Sequence, residues 1–119
     1  MASNNEMLNK IVKILDSKKG MDIVVLDVRE LTTITEYFVI VTGGSDTQVK
    51  ALCDNLEEEI EKDGVFRLNK EGYRKGDWVL LGYEDVIVHI FLSETRNFYD
   101  LEHVWQDAKR IDMSDIITE

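Results

Sequence analysis

The sequence predicts a single α+β domain in which about five strands form a mixed sheet with helices packed on it. Short apolar, β-branched runs alternate with three segments whose apolar residues recur at helical spacing, and residues 77–91 have the pattern of a β-hairpin. At 119 residues the chain is the size of one domain, with an ordinary 44% of hydrophobic and 32% of charged residues. We expect one domain over 1–119, with an ordered core over about 5–111 and a weakly structured tail over 112–119.

The predicted elements follow the order α-β-β-α-β-β-β-α. The first helix is expected to end at Gly20 in a left-handed cap, and the second to begin at a capping box formed by Ser45 and Gln48 and to end at Gly64. The segment 37–68 is long enough for a right-handed parallel crossover. The helices are predicted at 7–19, 45–63 and 93–110, and the strands at 23–26, 37–42, 65–68, 78–81 and 86–91.

The hairpin at 77–91 is the stretch around which the sheet is organised. Gly82 is expected to supply backbone freedom at its bend. Apolar residues fall on both alternation sets of each strand, which predicts strands covered on both faces. Trp78 is then either a core residue or an exposed anchor for a partner protein, and the pattern leaves both open.

Charge and composition exclude several classes of protein. With 14 basic and 24 acidic residues the net charge is −10, which argues against a protein that binds by neutralising phosphates. The N-terminus has no signal-peptide or transit-peptide pattern, and no apolar run approaches the ~20 residues that span a bilayer, so we expect a cytoplasmic protein. Cys53, the one cysteine, excludes an intrachain disulfide and is expected to be buried and inert beside Leu52 and Leu56.

Candidate catalytic and ligand-binding groups each have a simpler structural interpretation. Gly43-Gly44-Ser45, between a strand and a helix, could hold a phosphate on backbone N–H groups, as in nucleotidyltransferases. Those enzymes also need paired carboxylates on a following strand for two metals, and no Asp-x-Asp follows. His89 is expected to be a buried structural histidine, and it shares no ligand spacing with His103. We therefore expect no catalytic, cofactor or metal site, with a nucleotide-binding enzyme built on the 43–45 loop as the alternative.

Three segments, in their order and spacing, resemble one protein family. They read Lys19-Gly20-Met21-Asp22-Ile23 with Leu26-Asp27-Val28, then Thr33-Ile34-Thr35-Glu36-Tyr37-Phe38-Val39-Ile40 with Thr42-Gly43-Gly44-Ser45, then Asp77-Trp78-Val79-Leu80-Leu81 with Asp85-Val86-Ile87-Val88-His89-Ile90-Phe91 and 96–105. The family is that of the ribosomal silencing factors (RsfS, also called Iojap or YbeB-like proteins). The resemblance covers about residues 5–111.

The resemblance implies a non-catalytic repressor of translation. Family members bind the large ribosomal subunit by docking on ribosomal protein fourteen of that subunit, and so block joining of the small subunit by occupying space. Their fold is nucleotidyltransferase-like without the metal carboxylates. The resemblance also implies a possible homodimer, and self-association is a third hypothesis. For an acidic protein near rRNA we expect little direct rRNA contact and shallow salt dependence.

The partner-binding surface is expected on the hairpin. Trp78 matches the family's conserved tryptophan, and the other positions are inferred from their place around it. The chain departs from the family at Gly82-Tyr83-Glu84-Asp85, where members commonly carry Asp-x-Gly-Asp, and at Glu36, where Asp is common. If the first Asp of that turn takes part in docking, Gly82 removes the contact. The expected contact residues are Tyr73, Lys75, Asp77, Trp78, Leu80 and Tyr83.

Overall fold

The computed structural model describes residues 5–117, and these form one six-stranded mixed sheet with helices on its faces. The helices are α1 (Glu6–Ser17), α2 (Asp46–Glu61), α3 (Ser93–Tyr99) and α4 (Leu101–Val104). The strands are β1 (Met21–Asp27), β2 (Tyr37–Gly43), β3 (Asn69–Glu71), β4 (Trp78–Gly82), β5 (Val86–Leu92) and β6 (Lys109–Arg110). The sheet order is β3-β4-β5-β2-β1-β6. The α+β class is confirmed, with a sixth strand that the sequence did not reveal.

The parallel connection in the sheet joins β2 to β5. Tyr37 lies opposite Val86 and Gly43 opposite Leu92, while the other neighbouring strands pair antiparallel. The predicted crossover was therefore assigned to the wrong return strand. Residues 65–68 are not a strand in the structure, and the edge strand β3 begins only at Asn69.

Helices α1 and α2 cover one face of the sheet, which we call the helical face. Ser45 begins α2 as predicted, because its Oγ accepts the backbone N–H of Gln48 at 3.1 Å. The Gln48 side chain donates to the carbonyl of Lys18 and so ties the start of α2 to the end of α1. Buried residues on this face include Leu8, Ile11, Leu15, Val39, Val41, Leu52, Leu56, Val79, Leu81, Val88 and Ile90.

The turn after α1 differs from the prediction. Lys19, not Gly20, adopts the left-handed conformation, with φ of 69°. Gly20 is required for close packing: a Cβ there would lie 2.7 Å from Val41 Cγ2 and 2.9 Å from the carbonyl oxygen of Leu15. The glycine therefore lets the end of α1 approach β2.

The second face of the sheet, which we call the open face, is covered only in part by α3, α4 and Trp105. The Trp105 ring packs edge-on against Phe38, with centroids 5.0 Å apart. The prediction of one amphipathic helix to about residue 110 is wrong, because the chain turns at Asp100, where φ is 49°. Phe98 and Val104, whose apolar spacing predicted that helix, are 81% and 65% exposed.

The segment after β6 returns to the helical face. The N–H of Ile111 donates to the carbonyl of Val25 at 2.9 Å, and Met113 is 4% exposed. Ile116 and Ile117 pack on the same core. We expected residues 112–119 to be weakly structured. The described part, 112–117, contributes to the core, and 118–119 lie outside the described residues.

Within residues 5–117 no helix combines the length and apolarity needed to cross a membrane.

Candidate functional site

Strand register brings three half-buried apolar residues together on the open face. Directly paired residues of neighbouring strands project to the same side of a sheet. Leu80 pairs with His89, and Gly82 pairs with Ile87. Trp78, Leu80 and Ile87 are each partly accessible, so β4 and β5 present an apolar surface that α3 and α4 cover only in part.

Trp78 is fixed in place by its neighbours although part of it stays accessible. Its ring stacks on Phe91, with centroids 4.9 Å apart, and lies 4.8 Å from the ring of Tyr99 on α3. Its indole Nε1 donates a hydrogen bond to His89 Nδ1 at 3.1 Å. Core packing and accessibility were posed as alternatives for this residue, and the structure combines them.

His89 is buried and neutral. It is 5% exposed, and burial lowers the pKa of its imidazole to about 4. Because Nδ1 accepts the Trp78 hydrogen bond, the ring proton belongs on Nε2, which is buried and has no hydrogen-bond partner among residues 5–117. His89 is buried, as expected of a structural histidine, but only one of its two ring nitrogens forms a hydrogen bond with the described residues. This ring orients Trp78.

Polar residues border the apolar surface along β3. The predicted contact residues Lys75 and Asp77 lie in the segment before β4, where Lys75 Nζ is 3.4 Å from a carboxylate oxygen of Asp77. In β3, Glu71 pairs with Leu80 and Asn69 pairs with Gly82, so both project to the open face. Sequence reasoning missed these two residues because it placed the edge strand four residues too early.

Two predicted contact residues lie on the opposite side of the sheet. Tyr83 is 3% exposed and belongs to the core of the helical face. The Tyr73 hydroxyl donates to Asp54 of α2 at 2.8 Å, and Lys70 Nζ lies 4.2 Å from its ring centroid. Nearness in sequence to Trp78 was misleading here, because side chains alternate between faces along a strand and Tyr83 falls on the side of Leu81.

Gly82 does not provide the backbone freedom at the bend that the sequence predicted. It lies within β4 and does not have a positive φ, so the bend does not depend on its backbone freedom. The turn is closed by the N–H of Tyr83, which donates to the carbonyl of Val86 at 2.8 Å.

The Gly43-Gly44-Ser45 loop is explained by packing and capping. A Cβ at Gly43 would lie 2.9 Å from Val49 Cγ2, so glycine allows β2 to approach α2. Ser45 is engaged as the helix cap. Among the described residues, one group has ligand atoms close enough for a metal, namely Cys53, Asp54 and Glu57, and it lies on α2 beyond this loop.

That α2 group already has protein partners. Glu57 accepts Lys70 Nζ at 2.6 Å and Arg67 Nε at 2.8 Å. Cys53 is fully buried, and burial raises the pKa of its thiol to about 12. These contacts match a structural ion-pair cluster and a protonated, inert cysteine, as the sequence predicted for Cys53.

Comparison with known proteins gives a consistent result. The family described as ribosomal silencing factor during starvation matches residues 1–119. A ribosomal silencing factor RsfS of Halalkalibacterium halodurans is 34% identical over 116 residues, which are 98% of this chain and 99% of that protein. A mouse protein named mitochondrial assembly of ribosomal large subunit protein 1 is 28% identical over 103 residues, covering 82% of this chain and 44% of its own.

Solved structures share the fold. A crystal structure of a protein from Chromobacterium violaceum superposes with a TM-score of 0.83 at 34% sequence identity, over 88% of each chain. A second, from Bacillus halodurans, has a TM-score of 0.82 at 31% identity and covers 92% of this chain and 99% of its own.

Proposed function

The chain belongs to the ribosomal silencing factor family, and we propose that it represses translation by docking its open face on ribosomal protein fourteen of the large subunit. The bound protein then occupies space that the small subunit needs for joining. The name of the mouse relative supports the large subunit as partner. We place this encounter in the cytoplasm.

The accessible apolar surface of Trp78, Leu80 and Ile87 is the observation that carries the proposal. Fixed aromatic side chains are effective anchors, because little side-chain entropy remains to be lost on binding. Stable recognition buries roughly 1,600 Å² in total, about half of it on each partner. Lys75 and Asp77, an ion pair just before β4, are kept as proposed contacts at the edge of this surface. Tyr73 and Tyr83 are left out because they belong to the helical face.

The proposed mechanism needs no chemistry. His89, with a pKa of about 4, is poorly placed to exchange protons near neutrality, and Glu57 is engaged by two cations. The 43–45 loop is accounted for by packing. The proposal is therefore steric repression by a non-catalytic protein.

A matched pair of variants tests the surface. Leu80→Gln changes the open face, and Met21→Gln makes the same kind of change on β1, at the far side of β5 and β2. Affinity for purified large subunits is measured by co-sedimentation, and the yield of joined ribosomes is measured in the same gradients. We expect Leu80→Gln to weaken binding about tenfold, or about 1.4 kcal/mol, and to restore joining, with Met21→Gln like the wild type.

The controls separate the alternatives. A homodimer could bury the same face, so binding is measured at concentrations where light scattering shows a monomer. Between 50 and 200 mM salt, affinity should fall far less than the roughly thousandfold expected of a protein that neutralises six phosphates. Equal binding by both variants would contradict the proposed surface, and a steep salt dependence would indicate rRNA as the partner.

A further inference from the structure

We propose that Asn69 and Glu71 bind a cationic side chain of the partner at the edge of the proposed docking surface formed by Trp78, Leu80 and Ile87. The Asn69 amide occupies the space that a side chain at position 82 would take. The inference rests on the proposed function. It concerns β3, which the sequence did not place on this surface.

The Asn69 amide fills the space above Gly82. The two residues pair across β3 and β4. A Cβ built on Gly82 would lie 2.0 Å from Asn69 Oδ1 and 3.1 Å from Asn69 Cγ. Gly82 is buried although Asn69 is exposed, and its φ is not positive. A side chain at position 82 would therefore displace the Asn69 amide, which is the end of an exposed side chain and can move.

Register places this amide beside the apolar surface. Gly82 also pairs with Ile87, so Asn69 reaches toward Ile87 across a residue without a side chain. Glu71 lies next to Leu80 in the same way. Lys70, between them in sequence, points to the helical face and binds Glu57 there. The rim of the open face at β3 thus carries an amide and a carboxylate.

The chemistry of the pair favours a cation. Asn69 Nδ2 donates to Glu71 Oε2 at 3.3 Å, and Asn69 Oδ1 lies over Gly82, so this oxygen and the second Glu71 oxygen are acceptors on the open face. A lysine or arginine side chain can donate to both oxygens in charge-assisted hydrogen bonds. The net charge of −10 favours approach of such a group, whereas Glu71 would repel a phosphate.

A double-mutant cycle tests the role of the amide. Asn69→Ala removes it, and Gly82→Ala displaces it, since a Cβ and the amide oxygen cannot share that space. Each single variant should bind large subunits about fivefold more weakly than the wild type. The double variant should show about the same loss as either single variant, because both changes remove the same interaction of the amide. Urea unfolding of every variant shows whether the fold is retained.

Two further variants test the chemistry. Glu71→Gln should weaken binding by a similar factor and flatten its salt dependence. Asn69→Ala combined with Gly82→Asp supplies a carboxylate in the vacated space and should recover binding. Should Gly82→Ala fail to fold, Asn69→Ala and Glu71→Gln still decide the question.

The outcomes distinguish this inference from the proposed function. If wild type binds and Leu80→Gln does not, while the changes at positions 69, 71 and 82 leave affinity unchanged or add independently, the proposed cation site is wrong and the docking surface stands. If the wild type does not bind large subunits, both are overturned.

Discussion

Replacing Trp78 with alanine measures how far this proposed contact residue also stabilises the fold. The change removes the stacking on Phe91 and Tyr99 and leaves His89 Nδ1 without its donor. Truncating a well-packed tryptophan costs about 3–5 kcal/mol. Because Trp78 is half-buried, we expect the lower end, about 3 kcal/mol, of which roughly 1 comes from the unsatisfied histidine nitrogen. A domain with typical stability of about 5–15 kcal/mol remains folded.

Trp78→Phe separates the two contributions. Phenylalanine keeps an aromatic ring against Phe91 but cannot donate to His89, so we expect a loss of about 1 kcal/mol. Both free energies of unfolding come from urea titrations followed by far-UV circular dichroism and by the fluorescence of Trp105, the remaining tryptophan.

Binding by the two variants is compared at equal folded fraction. Trp78→Ala should lose tenfold or more in affinity for the large subunit, beyond any loss from unfolding. A loss of stability under about 0.5 kcal/mol for Trp78→Ala would refute the packing described for this ring. If Trp78→Ala and Trp78→Phe lowered the free energy of unfolding equally, the hydrogen bond to His89, and not the ring stacking, would be the main contribution of Trp78.

Two more predictions follow from buried groups. His89 titrates at about 4 in the folded protein against 6.5 in the unfolded chain, so the unfolded state takes up the proton first, and stability falls from pH 6.5 toward 4 by roughly 3 kcal/mol in all. His89→Asn should flatten urea-midpoint profiles in this window relative to the wild type. Cys53 should react with iodoacetamide at pH 8 only as fast as the protein unfolds, because burial raises its thiol pKa to about 12. Rapid labelling in native buffer would contradict that burial.

Local patterns were enough to predict much of the fold. Helical spacing identified α1 and α2, and Ser45 marked the start of α2 because its hydroxyl satisfies a backbone donor within the same few residues. Runs of β-branched residues identified β1, β2 and the β4–β5 hairpin. These features depend on contacts close in sequence or on burial of a whole element, and both leave a periodic pattern.

Elements defined by distant pairing could not be found this way. The strand β3 reads Asn-Lys-Glu and β6 reads Lys-Arg, and both become strands only because β4 and β1 offer unpaired edges. The apolar spacing of Phe98 and Val104 indicated one long helix, but Asp100 turns the chain between them.

The candidate site was found only in its centre. The prediction reached Trp78 and Leu80 because the hairpin carries them. It missed Ile87, Asn69 and Glu71, since membership of a sheet surface is decided by register between strands, which a single sequence does not encode locally.

The position of the proposed docking surface follows from the polar contacts that fix α3 on the sheet. The buried Arg96 guanidinium donates to Thr42 Oγ1 at 2.9 Å and to the carbonyl of Asp22 at 2.8 Å, and its Nε pairs with Glu102 at 2.9 Å. These partners belong to β2, β1 and α4. Arg96 therefore holds α3 and α4 on the part of the open face near β1 and β2. Helices of seven and four residues reach Trp78 at the start of β4 through Tyr99, but they leave Leu80 and Ile87 partly accessible. Leu80 and its neighbours therefore stay accessible because the polar contacts of Arg96 place the short cover elsewhere, and a partner protein can complete it.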